Sequence, residues 1–446
     1  MEKDVVNYKT IVKIALPITL QALLQSSFSV IDEIMIGRLG SARIAGIGLA
    51  GKFASIFSVL MGAVCAVAGI MISQYAGQKD EKEVGRSFYL NLVIGVILAG
   101  IFTFLSSVFT RNIMGIYTNE ADTGTIASHY LKIISLTYIP IAVNMMLSTY
   151  LRCVEAAVLP LLTTIGAIVI NTGLNYVLIF GKFGAPSLGV KGAAIATVAS
   201  NVISMIILLV FFIIHIKRKN IHLPFLIKLE GEKRKQYFVM LLPILVNELL
   251  WSVGENVYAV IYGKLGTIPC AAMTLTIPIQ TLMMGVMSGL SQAAGIVVGR
   301  TLGEGEEERA YKESCRLMLC AFVFSVALSV LLIVLKKFYV DIYNVEDVTK
   351  KLATDILLVF AFISPVKVMN MTLGGGILRS GGKTSYVLAI DIIGTWVFGV
   401  PSGLVAAFVF KLSIPYVYLI LSLEECVRLA ISFVMFRKKI WINKLR

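Results

Sequence analysis

Residues 15–40, ALPITLQALLQSSFSVIDEIMIGRLG, have a counterpart at residues 241–266, LLPILVNELLWSVGENVYAVIYGKLG. A shift of 226 positions aligns the two stretches, and no gap is needed from residue 17 to residue 77. Farther along, LRC at 151–153 meets LRS at 378–380 with a shift of 227. The chain is therefore built from two related halves. The matched positions are Pro17 with Pro243, Gly37 with Gly263, Leu39 with Leu265, Gly40 with Gly266, Gly69 with Gly295 and Gly77 with Gly303.

The composition is that of a membrane protein. The chain has 446 residues, of which 57% are hydrophobic and 15% are charged. A soluble globular protein has about 45–50% apolar and about 25% charged residues. The composition therefore excludes a soluble enzyme, and its apolar content excludes a disordered chain. The long apolar runs also exclude a β-barrel, whose segments are short and alternate in polarity.

Twelve apolar runs are each long enough to cross a bilayer, which needs about 20 residues. In lipid the backbone must satisfy its own hydrogen bonds, so we expect every run to be a helix. The fold class is thus an all-α polytopic membrane protein with twelve transmembrane helices and both termini on one side. The runs are 11–36, 44–75, 87–109, 126–150, 158–181, 189–216, 236–262, 270–298, 313–335, 351–373, 384–410 and 412–436.

The distribution of basic residues predicts the orientation. The net charge is +14, and the basic residues cluster in short segments between the apolar runs. With the N-terminus in the cytoplasm, the inner segments carry 23 of the 40 lysines and arginines. Such a bias places both termini in the cytoplasm of a cell whose plasma (inner) membrane holds the protein.

The basic linker 217–235 divides the chain into two six-helix lobes, 1–216 and 236–446. Its charge fits topology alone, and a lipid-headgroup site is the alternative. Because each half has an even number of spans, the halves are parallel repeats about an axis along the membrane normal. Two such lobes enclose a cleft, and rocking them alternates access, as in a transporter.

Polar residues in the first span point to an ion site. Gln21, Gln25, Ser29 and Asp32 are spaced by four, four and three residues, so they share one helical face. A charge within a span costs about 2.5–3.5 kcal/mol on insertion scales and so needs a reason. Asp32 is the main candidate for binding H⁺ or Na⁺; the alternative is a structural acid paired with Arg or Lys.

Amides form a second candidate set. Asn171 and Asn175 lie four residues apart in the fifth span, and Asn201 lies in the sixth. An amide can offer its carbonyl oxygen to a cation or hydrogen-bond a carboxyl group. The alternative is hydrogen bonding between helices.

The seventh span carries Glu248 and Glu255, which are seven residues apart with Trp251 between them. We expect this face to line the cleft and attract a cationic substrate. In the eighth span, Gln280, Met284 and Met287 are substrate candidates, since methionine adapts to many ligand shapes, although plain packing also explains the methionines.

The last three spans add further charges. Asp391 in the eleventh span is another candidate for the substrate cleft. Glu424 and Arg428, four apart in the twelfth, fit a structural pair within one helix. Lys367 is placed to neutralise Asp391 or one of the glutamates. The run Gly374–Gly376 is expected to end the tenth helix, as a hinge or as a tight inner loop.

Several segments resemble the multidrug and toxic compound extrusion (MATE) family. They are residues 15–40, ISQYAGQKD at 72–80, INTGLNYVLIFG at 170–181, LGVKGAAIATVASNVIS at 188–204, GKLGTIPCAAMTL at 263–275 and GLSQAAGIVVGRTLGEG at 289–305. The likeness covers nearly the whole chain. It implies two six-helix lobes that form a V-shaped cleft and exchange drugs for H⁺ or Na⁺. The first-helix acid of the family falls on Asp32, and the fifth-helix pair falls on Asn171 and Asn175, where an amide replaces the usual acid.

We therefore expect a secondary transporter that exports organic cations by antiport with H⁺ or Na⁺. A flippase for a lipid-linked or other amphipathic metabolite is the alternative, although the acidic spans argue against it. An intramembrane enzyme is disfavoured, since the sequence has no HExxH or GxSxG. We expect cationic or amphipathic small molecules and membrane lipid as partners, with no nucleic acid, no cofactor and no obligate protein partner, and a monomer.

The orientation is testable with reporter fusions. We expect green fluorescent protein fused after Arg446 to fluoresce, because the C-terminus is cytoplasmic. Alkaline phosphatase fused after Glu346, in an outer loop, should be active, since this enzyme folds only outside the cytoplasm. The reverse pattern in both fusions would contradict the predicted orientation.

Overall fold

The computed structural model describes residues 8–36, 41–118, 120–226, 231–343 and 345–445. The side chains of residues 8–12, 29–36, 41, 42 and 44 lie outside this description. Secondary structure within the described ranges is entirely helical, as the sequence predicts.

The first half contains eight helices in the described residues. A short 3₁₀ turn, Ser135–Thr137, joins α5 to α6 within one continuous span. The helices are α1 (Tyr8–Ile36), α2 (Ser41–Gly77), α3 (Glu81–Val108), α4 (Thr110–Tyr117), α5 (Ala121–Ile134), α6 (Tyr138–Cys153), α7 (Val158–Phe180) and α8 (Val190–Lys219).

The second half also has eight α-helices in its described part, with π-helical segments between some of them. The helices are α9 (Gly231–Lys264), α10 (Thr267–Gly303), α11 (Glu307–Asp341), α12 (Asp347–Asn370), α13 (Thr384–Asp391), α14 (Val400–Leu404), α15 (Ile414–Ser422) and α16 (Glu424–Arg437). The π-helical segments are Met371–Leu378, Ile392–Gly399 and Val405–Val409.

Ten helical stretches among the described residues are long and apolar enough to cross a membrane. The first helix α1, with 29 residues, and the pair α15–α16 complete the twelve predicted spans. The chain is a multi-pass membrane protein. Pro17 and Pro243 lie inside α1 and α9, so the repeat places a proline at the same point of both first helices.

The chain forms two compact units, and their members differ from a simple cut at the linker. One unit is Leu24–Glu230. The other joins the part of the chain up to Leu23 to Gly231–Arg446. Gly289 of α10 explains this grouping, because a Cβ there would lie 2.6 Å from the Cα of Thr19. Only a glycine lets the backbone of α10 approach α1 so closely.

In the unit Leu24–Glu230, α7 and α8 form a tight hairpin. Gly181 ends α7 in a left-handed conformation with φ 65°, which a glycine adopts without steric cost. Gly192 then lies against α7, because a Cβ there would stand 2.5 Å from the carbonyl oxygen of Leu178.

The tenth span corrects our expectation at Gly374–Gly376. The helix does not end there; the span runs from Asp347 to Leu378 and passes through the glycines as a π-helical segment. Gly376 packs against α10, where an added Cβ would lie 2.5 Å from the carbonyl oxygen of Ser291. The hydroxyl of Ser291 donates to the carbonyl of Met371 at 2.7 Å. The glycines therefore serve close helix packing.

The hairpin predicts the effect of a single methyl group. Gly192→Ala should destabilise the protein by about 1–3 kcal/mol, because the added carbon overlaps the backbone of α7. Gly166→Ala in α7 is the matched control, since a Cβ there meets nothing within 4 Å. Thermal unfolding in detergent should show a lower Tm for Gly192→Ala alone; equal Tm values for the two variants would contradict the close approach.

Candidate functional site

The structure describes the amide candidates of the first half as one connected group. The Asn171 amide donates to the hydroxyl of Ser200 at 2.9 Å, and the Asn175 amide donates to the Asn171 side-chain oxygen at 2.8 Å. Asn171 and Asn175 are both buried. The amide of Asn201 donates to the Thr197 carbonyl at 2.8 Å. The bond from Asn171 to Ser200 ties α7 to α8, as the interhelical alternative expects, whereas these bonds of Asn175 and Asn201 lie within their own helices.

The first-helix candidates are described only in part. Asp32 lies in the helical backbone of α1, but its side chain lies outside the described residues, so its role stays a prediction. Gln25 is exposed, and Gln21 on the same face is buried.

The second half holds an ionic cluster centred on Arg428 of α16. The Arg428 Nε donates to the Asp391 carboxylate at 2.8 Å, and its Nη2 makes a second, shorter bond to the same oxygen. Its Nη1 lies 3.4 Å from Glu425 Oε2 and 3.9 Å from Glu424 Oε1. One guanidinium therefore faces three carboxylates from α13 and α16. We name Asp391, Glu424, Glu425, Arg428 and Lys367 the ionic cluster.

Glu425 has two further partners on α12. The amide of Asn370 donates to Glu425 Oε2 at 2.7 Å, and Lys367 Nζ lies 3.9 Å from Glu425 Oε1. The prediction that Lys367 neutralises an acid is thus met by Glu425, not Asp391. Glu255 on α9 also interacts electrostatically with Lys367.

Glu424 has a partner on α9. The phenol of Tyr258 donates a short hydrogen bond to Glu424 Oε2. Glu424 is 6% exposed and Glu425 is 5% exposed, so both acids are removed from solvent. Charges buried to this extent are tolerated when they are paired and hydrogen-bonded.

The predicted pair of Glu424 and Arg428 is present but is the loosest contact of Arg428. Four-residue spacing brings two side chains to one face of a helix, yet Asp391 on another helix is better placed to take two donors from one guanidinium. Sequence spacing found the intrahelical neighbour and missed the stronger partner, because α13 and α16 meet only in the folded chain.

The other cleft candidates occupy different places. Glu248 pairs with Arg379 at 3.1 Å, and neither residue belongs to the ionic cluster. Glu255 and Trp251 are exposed on α9. The Gln280 side-chain oxygen accepts from the phenol of Tyr418 at 3.0 Å. Met287 is buried against Val286, Ala321 and Val368, and Met284 packs on the core of the second half.

Tyr258, Tyr418 and Asn370 were not among the sequence candidates. The repeat held a signal for Tyr258, since the shift of 226 that aligns residues 17–77 places it on Asp32. At the repeat position of the first-half acid, the second half therefore has a phenol that hydrogen-bonds an acid from another helix.

Chemically, the ionic cluster has three carboxylates and two basic side chains. If all five are ionised, one negative charge is left over, and Glu255 adds another nearby. Buried carboxylates in excess of their counter-ions attract a further cation, because an uncompensated charge in a low-dielectric interior is costly. A proton or a sodium ion meets that need, since carboxylate, amide and hydroxyl oxygens are the ligands that hard cations prefer.

The MatE family matches the chain in two segments, residues 17–177 and residues 243–434. The chain belongs to the MatE family. The two matches fall on the two halves that the repeat defines, so each half carries the family's pattern. The resemblance that the sequence motifs suggested is confirmed.

Curated relatives carry the names of transport and multidrug resistance proteins. The chain is 25% identical to a probable multidrug resistance protein NorM of Thermotoga maritima, over 91% of this chain and 87% of that protein. It is 22% identical to the uncharacterized transporter YisQ of Bacillus subtilis, over 96% and 94%. It is 24% identical to multidrug and toxin extrusion protein 1 of Mus musculus, over 91% and 70%.

Solved structures share the fold. A crystal structure of MATE in complex with MaL6 has a TM-score of 0.87 at 18% identity, covering 97% of this chain and 96% of that one. A MOP superfamily transporter from Pyrococcus furiosus, whose binding pocket is described as having reverse polarity, has a TM-score of 0.84 at 19% identity. The match covers 97% of this chain and 95% of that one. The fold and the family together make this chain a membrane transporter of the efflux type.

The ionic cluster predicts non-additive effects on stability. Arg428→Gln should destabilise the protein by about 3–5 kcal/mol, because it leaves buried carboxylates without their main counter-ion. Asp391→Asn in the same chain should recover part of the loss, since it removes the carboxylate that Arg428 held. Thermal unfolding of the parent, both single variants and the double variant gives the coupling. Additive changes in Tm would contradict the pairing.

Proposed function

We propose that this protein exports cationic, amphipathic small molecules in exchange for H⁺ or Na⁺, with the ionic cluster as the coupling site. The observation that carries the proposal is the excess of carboxylates over basic side chains around Arg428. Glu424 and Glu425 are buried on one turn of α16, where a proton or sodium ion relieves their mutual repulsion.

The coupling follows from competition for the same charge. When the carboxylates hold a coupling cation, the cluster has less attraction for a cationic substrate, and the converse also holds. This coupling is reciprocal by thermodynamic necessity. A cation entering from outside therefore favours substrate release outward, and its departure to the cytoplasm resets the protein. Asp32 remains a second candidate site in the first half.

The substrate class is supported by charge and by the names of the relatives. Two of the relatives are called multidrug resistance or multidrug and toxin extrusion proteins. A net negative cluster suits a cation and repels a phosphate. For the same reason the alternative, a flippase for a lipid-linked metabolite, is disfavoured, since it would need basic side chains in excess.

The remaining parts of the proposal concern setting and partners. We propose a plasma (inner) membrane location with both termini in the cytoplasm, on the distribution of basic residues. The ion gradient supplies the driving force, so the proposal requires no cofactor and no protein partner, and a single copy suffices.

The test is efflux of a fluorescent organic cation from proteoliposomes, with proton and sodium gradients imposed separately. One gradient should drive efflux by the parent protein. Glu424→Gln should reduce the driven rate at least about tenfold, a loss that corresponds to about 1.4 kcal/mol of barrier. Asp32→Asn, run beside it, measures the share of the first half.

Glu308→Gln is the matched control, because it removes an exposed acid of the second half that pairs with Lys439, outside the ionic cluster. It should keep the parent's rate. If neither gradient drives efflux by the parent protein, the proposed antiport is overturned. Full efflux by Glu424→Gln with loss in Asp32→Asn moves the coupling site to the first half.

A further inference from the structure

Two glycines in the π-helical segment Ile392–Gly399 lie directly against the ionic cluster. A Cβ built at Gly394 would overlap the Cγ and Cδ of Arg428. A Cβ built at Gly399 would overlap both Glu424 Oε2 and the phenol oxygen of Tyr258. At both glycines, the packed side chains leave no room for a methyl group on the backbone.

The two contacts determine where the charges lie. Arg428 runs its aliphatic part over Gly394 and so brings its guanidinium to Asp391, three residues earlier on the same helix. Glu424 and Tyr258 meet over Gly399. A π-helical segment bonds residue i to residue i+5 in place of i+4, and such segments are frequent at functional sites.

We propose that Gly394 and Gly399 are positioning residues for the coupling site: their bare backbone holds Arg428 at Asp391 and Glu424 at Tyr258. This inference rests on the proposed function of the ionic cluster. The glycines touch no transported ion themselves; they act through the side chains that cross them.

The same helix provides a control of the same size. A Cβ at Gly403 would overlap the side chain of Leu421, which is apolar and buried. Gly403→Ala therefore imposes an equal steric clash on α15 without touching a charge. Gly173→Ala in α7 is a second control, since a Cβ there meets nothing within 4 Å.

The first measurement separates coupling from packing. For each variant, driven efflux is measured against the concentration of the driving cation and against that of the organic cation. Gly394→Ala and Gly399→Ala should raise the driving-cation concentration for half-maximal rate roughly tenfold or more, since an error of about 1 Å at a functional site is costly. The KM for the organic cation should change less than that.

Groups that face Glu424 set how a displaced carboxylate responds. They are Tyr258 from α9, Lys367 from α12, and Glu425 and Arg428 from α16. Gly403→Ala should lower Tm. It should leave the driving-cation concentration for half-maximal rate within about twofold of the parent's value. That change is well below the factor of ten that corresponds to ~1.4 kcal/mol. If Gly403→Ala shifts that concentration as far as Gly399→Ala does, the positioning role is overturned.

A second measurement needs no transport. Gly399→Ala combined with Glu424→Ala and Tyr258→Phe removes both overlapping oxygens, so the triple variant should fold with a higher Tm or yield than Gly399→Ala alone. The absence of such a recovery overturns the proposed contact. A parent without driven efflux, beside a positive recovery, counts against the proposed function and leaves the positioning of Glu424 intact.

Discussion

The packing of the second half depends on the ion pairs that the guanidinium of Arg428 makes with neighbouring carboxylates. It brings together α13 and α16 by bonding Asp391, and it lies beside the buried acids Glu424 and Glu425. Each of these acids alone would be expensive to place in a span. Together with Lys367 they become tolerable, because opposite charges share one desolvated space. The helices that carry them must therefore meet, whatever else the apolar surface favours.

The two halves use one scaffold for different chemistry. Both begin with a helix that contains a proline at the same repeat position, Pro17 and Pro243. In the first half, the described polar side chains that join α7 and α8 are neutral, with Asn171 and Ser200 in contact. In the second half the joining groups are ionic. Because the internal repeat fixes backbone positions and leaves side chains free to diverge, the ionic cluster has formed in the second half, whereas Glu83, a buried acid of the first half, pairs locally with Arg86 of its own helix.

Sequence reasoning predicted the membrane class, the twelve spans and the helical repeat, since these depend on apolar run length and on backbone hydrogen bonding. It also placed Lys367 beside an acid. It did not find Asp391 as the partner of Arg428, because the two residues are 37 positions apart and meet through tertiary packing. It took Gly374–Gly376 as a helix end, whereas the glycines continue the helix to allow a close approach to Ser291. The neighbouring sequence does not distinguish a glycine that ends a helix from one that allows close helix packing, because both roles depend on the lack of a Cβ atom.

The cost of burying the cluster also bears on how it acts. A fully neutral set of partners would stabilise the fold and offer nothing for a cation to change. In the ionic cluster, Arg428 and Lys367 compensate two of the three carboxylates. Binding of a monovalent cation would therefore change the net charge of the cluster by one unit. Because Glu424 is held by a phenol from α9 and lies near a guanidinium from its own helix, the change is felt on two helices at once. Under the proposed function, this buried charge network connects ion occupancy to helix packing, which is what ion-coupled transport requires.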